Sequence, residues 1–92
     1  MKEIIRYKLT FNGRVQGVGF RYTASNAASR LGVTGFVKNE YDGSVTVEIQ
    51  GTEDEIDLFV KTIEKNRFIR IYDIDKEQIP LEDDERGFIV QY

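Results

Sequence analysis

The spacing of apolar residues switches along the chain between the two-residue period of a β-strand and the longer period of a helix. A chain that does this repeatedly within 92 residues is restricted to a mixed α+β fold with one core. The first alternating run predicts a strand at about residues 4–12, and its apolar positions are Ile5, Tyr7, Leu9 and Phe11. A helical stripe from Phe20 to Leu31 follows, so we predict a helix that begins at Arg21 or Tyr22 and ends before Gly32.

The remaining segments continue this alternation. Residues 33–39 and 44–50 read as two strands, and Asp42-Gly43 between them predicts a tight turn. Thr52 and Glu55 fit a capping box that opens a second helix at about residues 53–65. A β-rich segment at residues 68–74, an acidic turn at residues 82–85 and a short strand from Phe88 to the end complete the chain.

The predicted order is β-α-β-β-α-β followed by a short terminal strand. This order is typical of a ferredoxin-like α+β sandwich, in which two helices cover one face of an antiparallel sheet while the other face meets water. We expect residues 1–92 to form a single domain, because a second core would not fit. Many unrelated functions use this fold, so function must be argued from particular residues.

Composition excludes several kinds of chemistry. The chain has no Cys and no His, so disulfides, zinc–thiolate sites, thiol nucleophiles and imidazole catalysis are all excluded. No apolar run approaches a membrane span, and residues 1–9 lack the apolar core of a signal peptide, so we expect a cytoplasmic protein. Residues 1–39 carry seven Lys and Arg and one acid, whereas residues 40–92 carry six and fifteen. This asymmetry indicates a local anion site unless folding evens it out.

The loop from Gly13 to Arg21 carries the strongest chemical signal. Three glycines in seven residues precede a predicted helix, where backbone N–H groups can converge on a phosphate. Arg21 could close such a site with a planar, bidentate guanidinium. The simpler interpretation is that the glycines turn the chain and Arg21 points to solvent. The loop matches neither a Walker A sequence nor the dinucleotide-binding G-x-G-x-x-G, because Tyr22 stands at the third glycine position.

Two segments resemble motifs of the acylphosphatase family. Gly13-Arg14-Val15-Gln16-Gly17-Val18-Gly19-Phe20-Arg21 is similar to its signature G-x-V-Q-G-V-x-F-R, and Gly32-Val33-Thr34-Gly35-Phe36-Val37-Lys38-Asn39 to its second motif, G-x-x-G-[WF]-V-x-N. The likeness covers essentially the whole chain. The departures are Phe36, where many relatives have Trp, and residues 64–68, which replace a Gly-Pro-like turn and leave substrate preference open.

The resemblance implies hydrolysis of acyl phosphates to a carboxylate and inorganic phosphate, without a metal, another cofactor or a phosphoenzyme. It implies that Arg21 binds the phosphoryl oxygens and that the Asn39 amide holds the attacking water. By motif position the phosphate-binding residues are Val15, Gln16, Gly17, Val18, Gly19, Phe20 and Arg21. The expected ligands are a small acyl phosphate and product-like phosphate or sulfate. We expect a monomer that binds neither nucleic acid nor membranes.

Three other interpretations stay open on the residues alone. The cradle could capture a phosphorylated ligand without turnover, or the element order could serve an RNA-binding sheet, although no RNP-like strand occurs. The acids at residues 82–85 could hold a metal, but such a run is usually a solvated turn. Asn39 also has a plain structural interpretation as a residue that ends a strand before a turn.

Overall fold

The computed structural model describes residues 2–92, which form five strands and two helices in the predicted order. The strands are β1 (Ile4–Arg14), β2 (Thr34–Asn39), β3 (Val45–Thr52), β4 (Arg70–Ile79) and β5 (Phe88–Gln91); the helices are α1 (Phe20–Leu31) and α2 (Glu53–Glu64). The ferredoxin-like α+β architecture is confirmed. The predicted capping box of α2 is also present, with Thr52 Oγ1 accepting from Glu55 N at 3.2 Å and Glu55 Oε1 accepting from Thr52 N at 2.8 Å.

The five strands form one sheet in the order β4-β1-β3-β2-β5. The sheet is antiparallel, as predicted, at every pair but one, since β5 lies parallel to β2 at the edge. Chain direction explains the exception. The edge strand β4 finishes at the same end of the sheet at which β2 starts, and residues 80–87 lead from there to the opposite edge. A strand that then re-enters the sheet can only run in the direction of β2.

Both helices pack on the same face of the sheet, where they bury its apolar positions. Alternate residues of the central strands, such as Leu9, Val37 and Val47, are fully buried there. The α1 stripe contributes Ala24, Ala27 and Ala28. Because these side chains are small, the helix axis can lie close to the sheet.

The opposite face does not simply meet water, as the sequence predicted. Residues 80–87 run across part of it, and Arg6 on this face is only 1% exposed. Glu85 from the crossing segment bonds to Arg6, and the backbone of Glu82 bonds to the Gln50 side chain. The polar character of this face therefore serves a tertiary contact as well as solvation.

The fourth strand begins later and runs further than the predicted residues 68–74. It pairs with β1 from Arg70 to Ile79, through a charged stretch that has little intrinsic preference for strands. Pairing with a long neighbour extends the strand where side-chain propensity alone would end it. Within residues 2–92, no helix has the length and apolarity needed to cross a membrane.

Candidate active site

The glycine-rich loop, residues 15–19, joins the end of β1 to the start of α1. Its two ends are fixed in the core by Val15 and Phe20, which are both buried, and the Phe20 ring packs edge-on against Phe11 at 4.9 Å between centroids. Gly17 and Gly19 adopt left-handed φ angles of 74° and 82°, which a side chain would strain. The loop is therefore tightly turned, and both of its ends are held in the hydrophobic core.

The N-terminus of α1 lacks the partners that satisfy α2. Gly19 occupies its N-cap position, no side chain caps it, and its first turn contains no acid. By contrast, α2 has a complete capping box and three acids in its first turn. The free N–H groups and the positive end of the helix dipole at α1 are therefore available to an external anion.

A cavity of about 360 Å³ opens at this helix start, lined by loop, helix and β5. Its lining residues are Val15, Gly17, Gly19, Phe20, Arg21, Tyr22, Ser25, Val90 and Tyr92. The guanidinium of Arg21 lies over the Tyr92 ring, 5.0 Å from its centroid. Among residues 2–92 no carboxylate lies within ion-pair distance of Arg21, so no internal acid neutralises its charge. A cationic side chain and a helix N-terminus thus meet in one cavity.

Asn39 does not line this cavity, but a hydrogen-bonded clamp ties its neighbours to the loop. Asn39 ends β2 opposite Val45, and the turn of residues 40–44 follows directly. Gln16 Nε2 donates to the carbonyl oxygens of Glu40 at 2.7 Å and Ser44 at 2.9 Å. The loop and the end of β2 are thereby held together, although their residues are more than twenty positions apart in sequence.

The turn after Asn39 is rigid in its own right. Ser44 donates to Asp42 Oδ1 from its backbone N–H at 2.9 Å and from its hydroxyl at 2.6 Å. These two bonds, the hydroxyl's first, hold the pKa of Asp42 below its usual range. The Glu40 amide donates to Ser44 O at 2.8 Å and closes the hairpin predicted from Asp42-Gly43.

The structure thus brings together part of the predicted site. Arg21, Phe20 and three loop residues line the cavity, whereas Gln16, Val18 and Asn39 do not. The Gln16 side chain binds the neighbouring turn, so only its backbone could face a ligand. Sequence reasoning missed Tyr92 and Val90 as cavity residues. Their alternation identified a strand, but nothing local indicated that this strand would lie beside α1.

The acidic turn at residues 82–85 is anchored at one end by Glu85, which bonds to Arg6. Across residues 2–92, no three acidic side chains are grouped so that they could hold a metal ion. Glu82, Asp83 and Asp84 are exposed, as expected for a solvated turn, and only Glu85 is half-buried with an internal cationic partner.

Comparison with known proteins agrees with this geometry. The family model described as Acylphosphatase matches residues 7–90. An acylphosphatase of Clostridium beijerinckii is 43% identical over 90 residues, which are 97% of this chain and 100% of the relative. One of Clostridium acetobutylicum is 44% identical over 88 residues, 95% and 97% of the two chains. The crystal structure of acylphosphatase from Bacillus subtilis matches with a TM-score of 0.87 and 31% identity, covering 98% of this chain and 100% of that one. With the matching motifs, fold and sequence relatives, the chain belongs to the acylphosphatase family.

Proposed function

We infer that the chain is an acylphosphatase, which hydrolyses the bond between the carboxyl and phosphoryl groups of acyl phosphates. The observation that carries this inference is the uncapped N-terminus of α1, which opens into the same cavity as Arg21. Both features favour a bound phosphoryl group, because one supplies N–H donors and the other a bidentate cation. The reaction itself, hydrolysis of acyl phosphates, is inferred from membership of the acylphosphatase family.

In the proposed mechanism the loop amides of residues 15–20 and Arg21 bind the phosphoryl oxygens. Phosphoryl transfer depends mainly on position and on stabilising charge over these oxygens, which fixed donors of this kind provide. A water oxygen attacks phosphorus, the bond from phosphorus to the acyl oxygen breaks, and the carboxylate leaves. The carboxylate is a good leaving group, so a chain without His or Cys can perform the reaction.

Asn39 is the proposed water-positioning residue. Its neutral amide can orient a water but is a poor proton acceptor, so we propose that the water's proton passes to an oxygen of the substrate phosphate. The Gln16 clamp supports this role, because it ties the turn that follows Asn39 to the loop. Action as a single domain, a monomeric state and a cytoplasmic location stay predictions.

The first experiment is hydrolysis of benzoyl phosphate, followed by its ultraviolet absorbance with a chelator present. We expect turnover by the parent chain, with kcat lowered roughly 10²–10³-fold in Asn39→Ala, as for loss of one preorganised polar group. Arg21→Ala should abolish activity and weaken phosphate binding by about 1.5–3 kcal/mol or more, as for loss of a charge-assisted contact. The matched controls Asn26→Ala and Arg30→Ala change exposed residues of α1 and should retain activity.

Turnover that persists unchanged in Asn39→Ala would overturn the water-positioning role. A parent chain that binds phosphate and is stabilised by it, yet hydrolyses nothing, would favour a binding module instead.

A further inference from the structure

A buried arginine on the helix-free face of the sheet has no part in the proposed chemistry. The Arg6 side chain is 2% exposed, although it stands in β1 among polar neighbours. Its N–H groups bond to three side chains, at 2.7 and 3.1 Å to Glu85, at 3.0 and 3.2 Å to Glu48 and at 3.2 Å to Gln50. A guanidinium has five N–H donors, and these five contacts account for all of its nitrogens. Because removing a charged side chain from water costs desolvation free energy, the burial of Arg6 points to a specific structural role.

The contacts of Arg6 indicate that this role is to hold the segment that precedes β5. Glu85 accepts a bidentate contact from Arg6 and lies in residues 80–87, the segment that leads into β5. Burial pushes the pKa of Glu85 upward, but hydrogen bonds from Arg6 and Thr34 outweigh it and leave the pKa below its usual range. The same segment is held by Gln50, which accepts from Glu82 N at 2.9 Å and donates to Glu82 O at 3.2 Å.

The strand that follows depends on this anchor. β5 has four residues and lies at the sheet edge with β2 as its one strand neighbour. Its start is fixed by the bond from Gly35 N to Gly87 O at 3.1 Å and by packing of Phe88 on Phe59. Its far end brings Val90 and Tyr92 to the cavity, where Tyr92 lies against Arg21. A short edge strand gains little from its own ladder, so its placement depends on what secures its first residues.

We propose that Arg6 is a positioning residue for the phosphate site, acting through Glu85 and β5 on Arg21. This inference rests on the proposed function, since it assumes that Arg21 binds the phosphoryl group. Without the Arg6–Glu85 contact, β5 is free to shift or fray at the edge. Arg21 then loses its aromatic partner and occupies its binding orientation for a smaller fraction of the time.

The test variant is Glu85→Gln, which keeps the side-chain shape but replaces one acceptor oxygen with a donor that faces Arg6. Arg6→Met is the second variant, and Lys8→Met is the matched control, because Lys8 is the next residue on the same face of β1 but is exposed. Three quantities are measured for each folded protein. They are the Kd for inorganic phosphate by calorimetry, kcat and KM for benzoyl phosphate, and the amide hydrogen exchange of Ile89, Val90 and Gln91.

We expect the phosphate Kd and KM of Glu85→Gln to rise about threefold to tenfold, since apparent affinity falls with the competent fraction. The kcat should change less than these constants, because the loss is one of binding. Exchange of the β5 amides should accelerate in Glu85→Gln while that of β1 and β3 does not. Lys8→Met should match the parent in all three quantities.

A Glu85→Gln protein that is folded and less stable, yet binds phosphate with the parent's Kd, would overturn the inference and reduce the contact to a structural one. Equal rises of the phosphate Kd in Glu85→Gln and Lys8→Met would overturn the inference as well, since a general charge effect would then explain both. A parent that binds phosphate without hydrolysing benzoyl phosphate contradicts the proposed function alone. In that case the phosphate Kd and the β5 exchange still decide this inference.

Discussion

The Arg21 guanidinium lies over the Tyr92 ring, with its central carbon 5.0 Å from the ring centroid. The two residues come from the first helix and from the position after the last strand, so tertiary packing alone brings them together. The ring leaves the N–H donors of the guanidinium free for a ligand, because a cation–π contact uses the flat face of the group. Tyr92 is thus a contact of Arg21 that leaves its positive charge unneutralised.

Replacement of this ring should weaken substrate binding modestly. An exposed cation–π contact contributes about 0.5–1 kcal/mol, so Tyr92→Leu should raise KM about twofold to fivefold with little change in kcat. Tyr92→Phe is the matched control, because it keeps the aromatic face and should behave as the parent. Steady-state kinetics with benzoyl phosphate measures both, and equal KM values for the Leu and Phe variants would contradict the role of the ring.

Loss of the Gln16 clamp should affect catalysis more than stability. Glu40 O and Ser44 O each keep a backbone donor without it, so Gln16→Leu should cost only about 1 kcal/mol of unfolding free energy. The loop would nevertheless move relative to Asn39, and a displacement of this kind lowers kcat by roughly tenfold to a hundredfold. Urea unfolding and kcat are measured side by side, with Gln78→Leu on exposed β4 as the control. A parent-like kcat in Gln16→Leu would show that the clamp does not set the site.

Two glycines with positive φ should respond differently to alanine. A Cβ at Gly35 would lie 1.8 Å from the Glu48 carbonyl oxygen, so Gly35→Ala must separate β2 from β3 and should cost about 3 kcal/mol or more. A Cβ at Gly17 meets nothing within 4 Å. Gly17→Ala should therefore cost only the left-handed strain of about 1–2 kcal/mol. Thermal or urea unfolding compares the two, and similar losses would mean that the backbone contact at Gly35 can relax.

The contact between Arg6 and Glu85 should make the free energy of unfolding depend on pH. Because the pKa of Glu85 is lower in the folded chain than in the unfolded one, the contact contributes fully above the ordinary glutamate pKa. That contribution declines as pH falls from the ordinary value through the folded one. The parent should be more stable than Glu85→Gln at pH 7, and the difference should shrink toward about pH 3. Urea unfolding of both proteins across this range measures it, and a difference independent of pH would contradict the assignment to the carboxylate.

The candidate site was predictable where one continuous segment forms it. The spacing of Gly17 and Gly19 before an amphipathic stripe indicated both the loop and the start of α1, and Arg21 came with them. The role of Gln16 was not predictable, because its side chain bonds to backbone atoms of the hairpin turn. Tyr92 was missed for a related reason, since its importance depends on where β5 lies and not on its neighbours in sequence.

Local patterns in the sequence were enough to predict the type of each element, its inner face and most of its limits, because periodicity, glycine and capping residues act within a few positions of one another. Which elements lie side by side depended on tertiary packing. It placed β5 parallel to β2, extended β4 along β1, buried Arg6 under Glu85 and set Tyr92 on Arg21. These outcomes follow from chain direction, strand pairing and the need of a buried charge for partners, and such constraints join residues that are far apart along the chain.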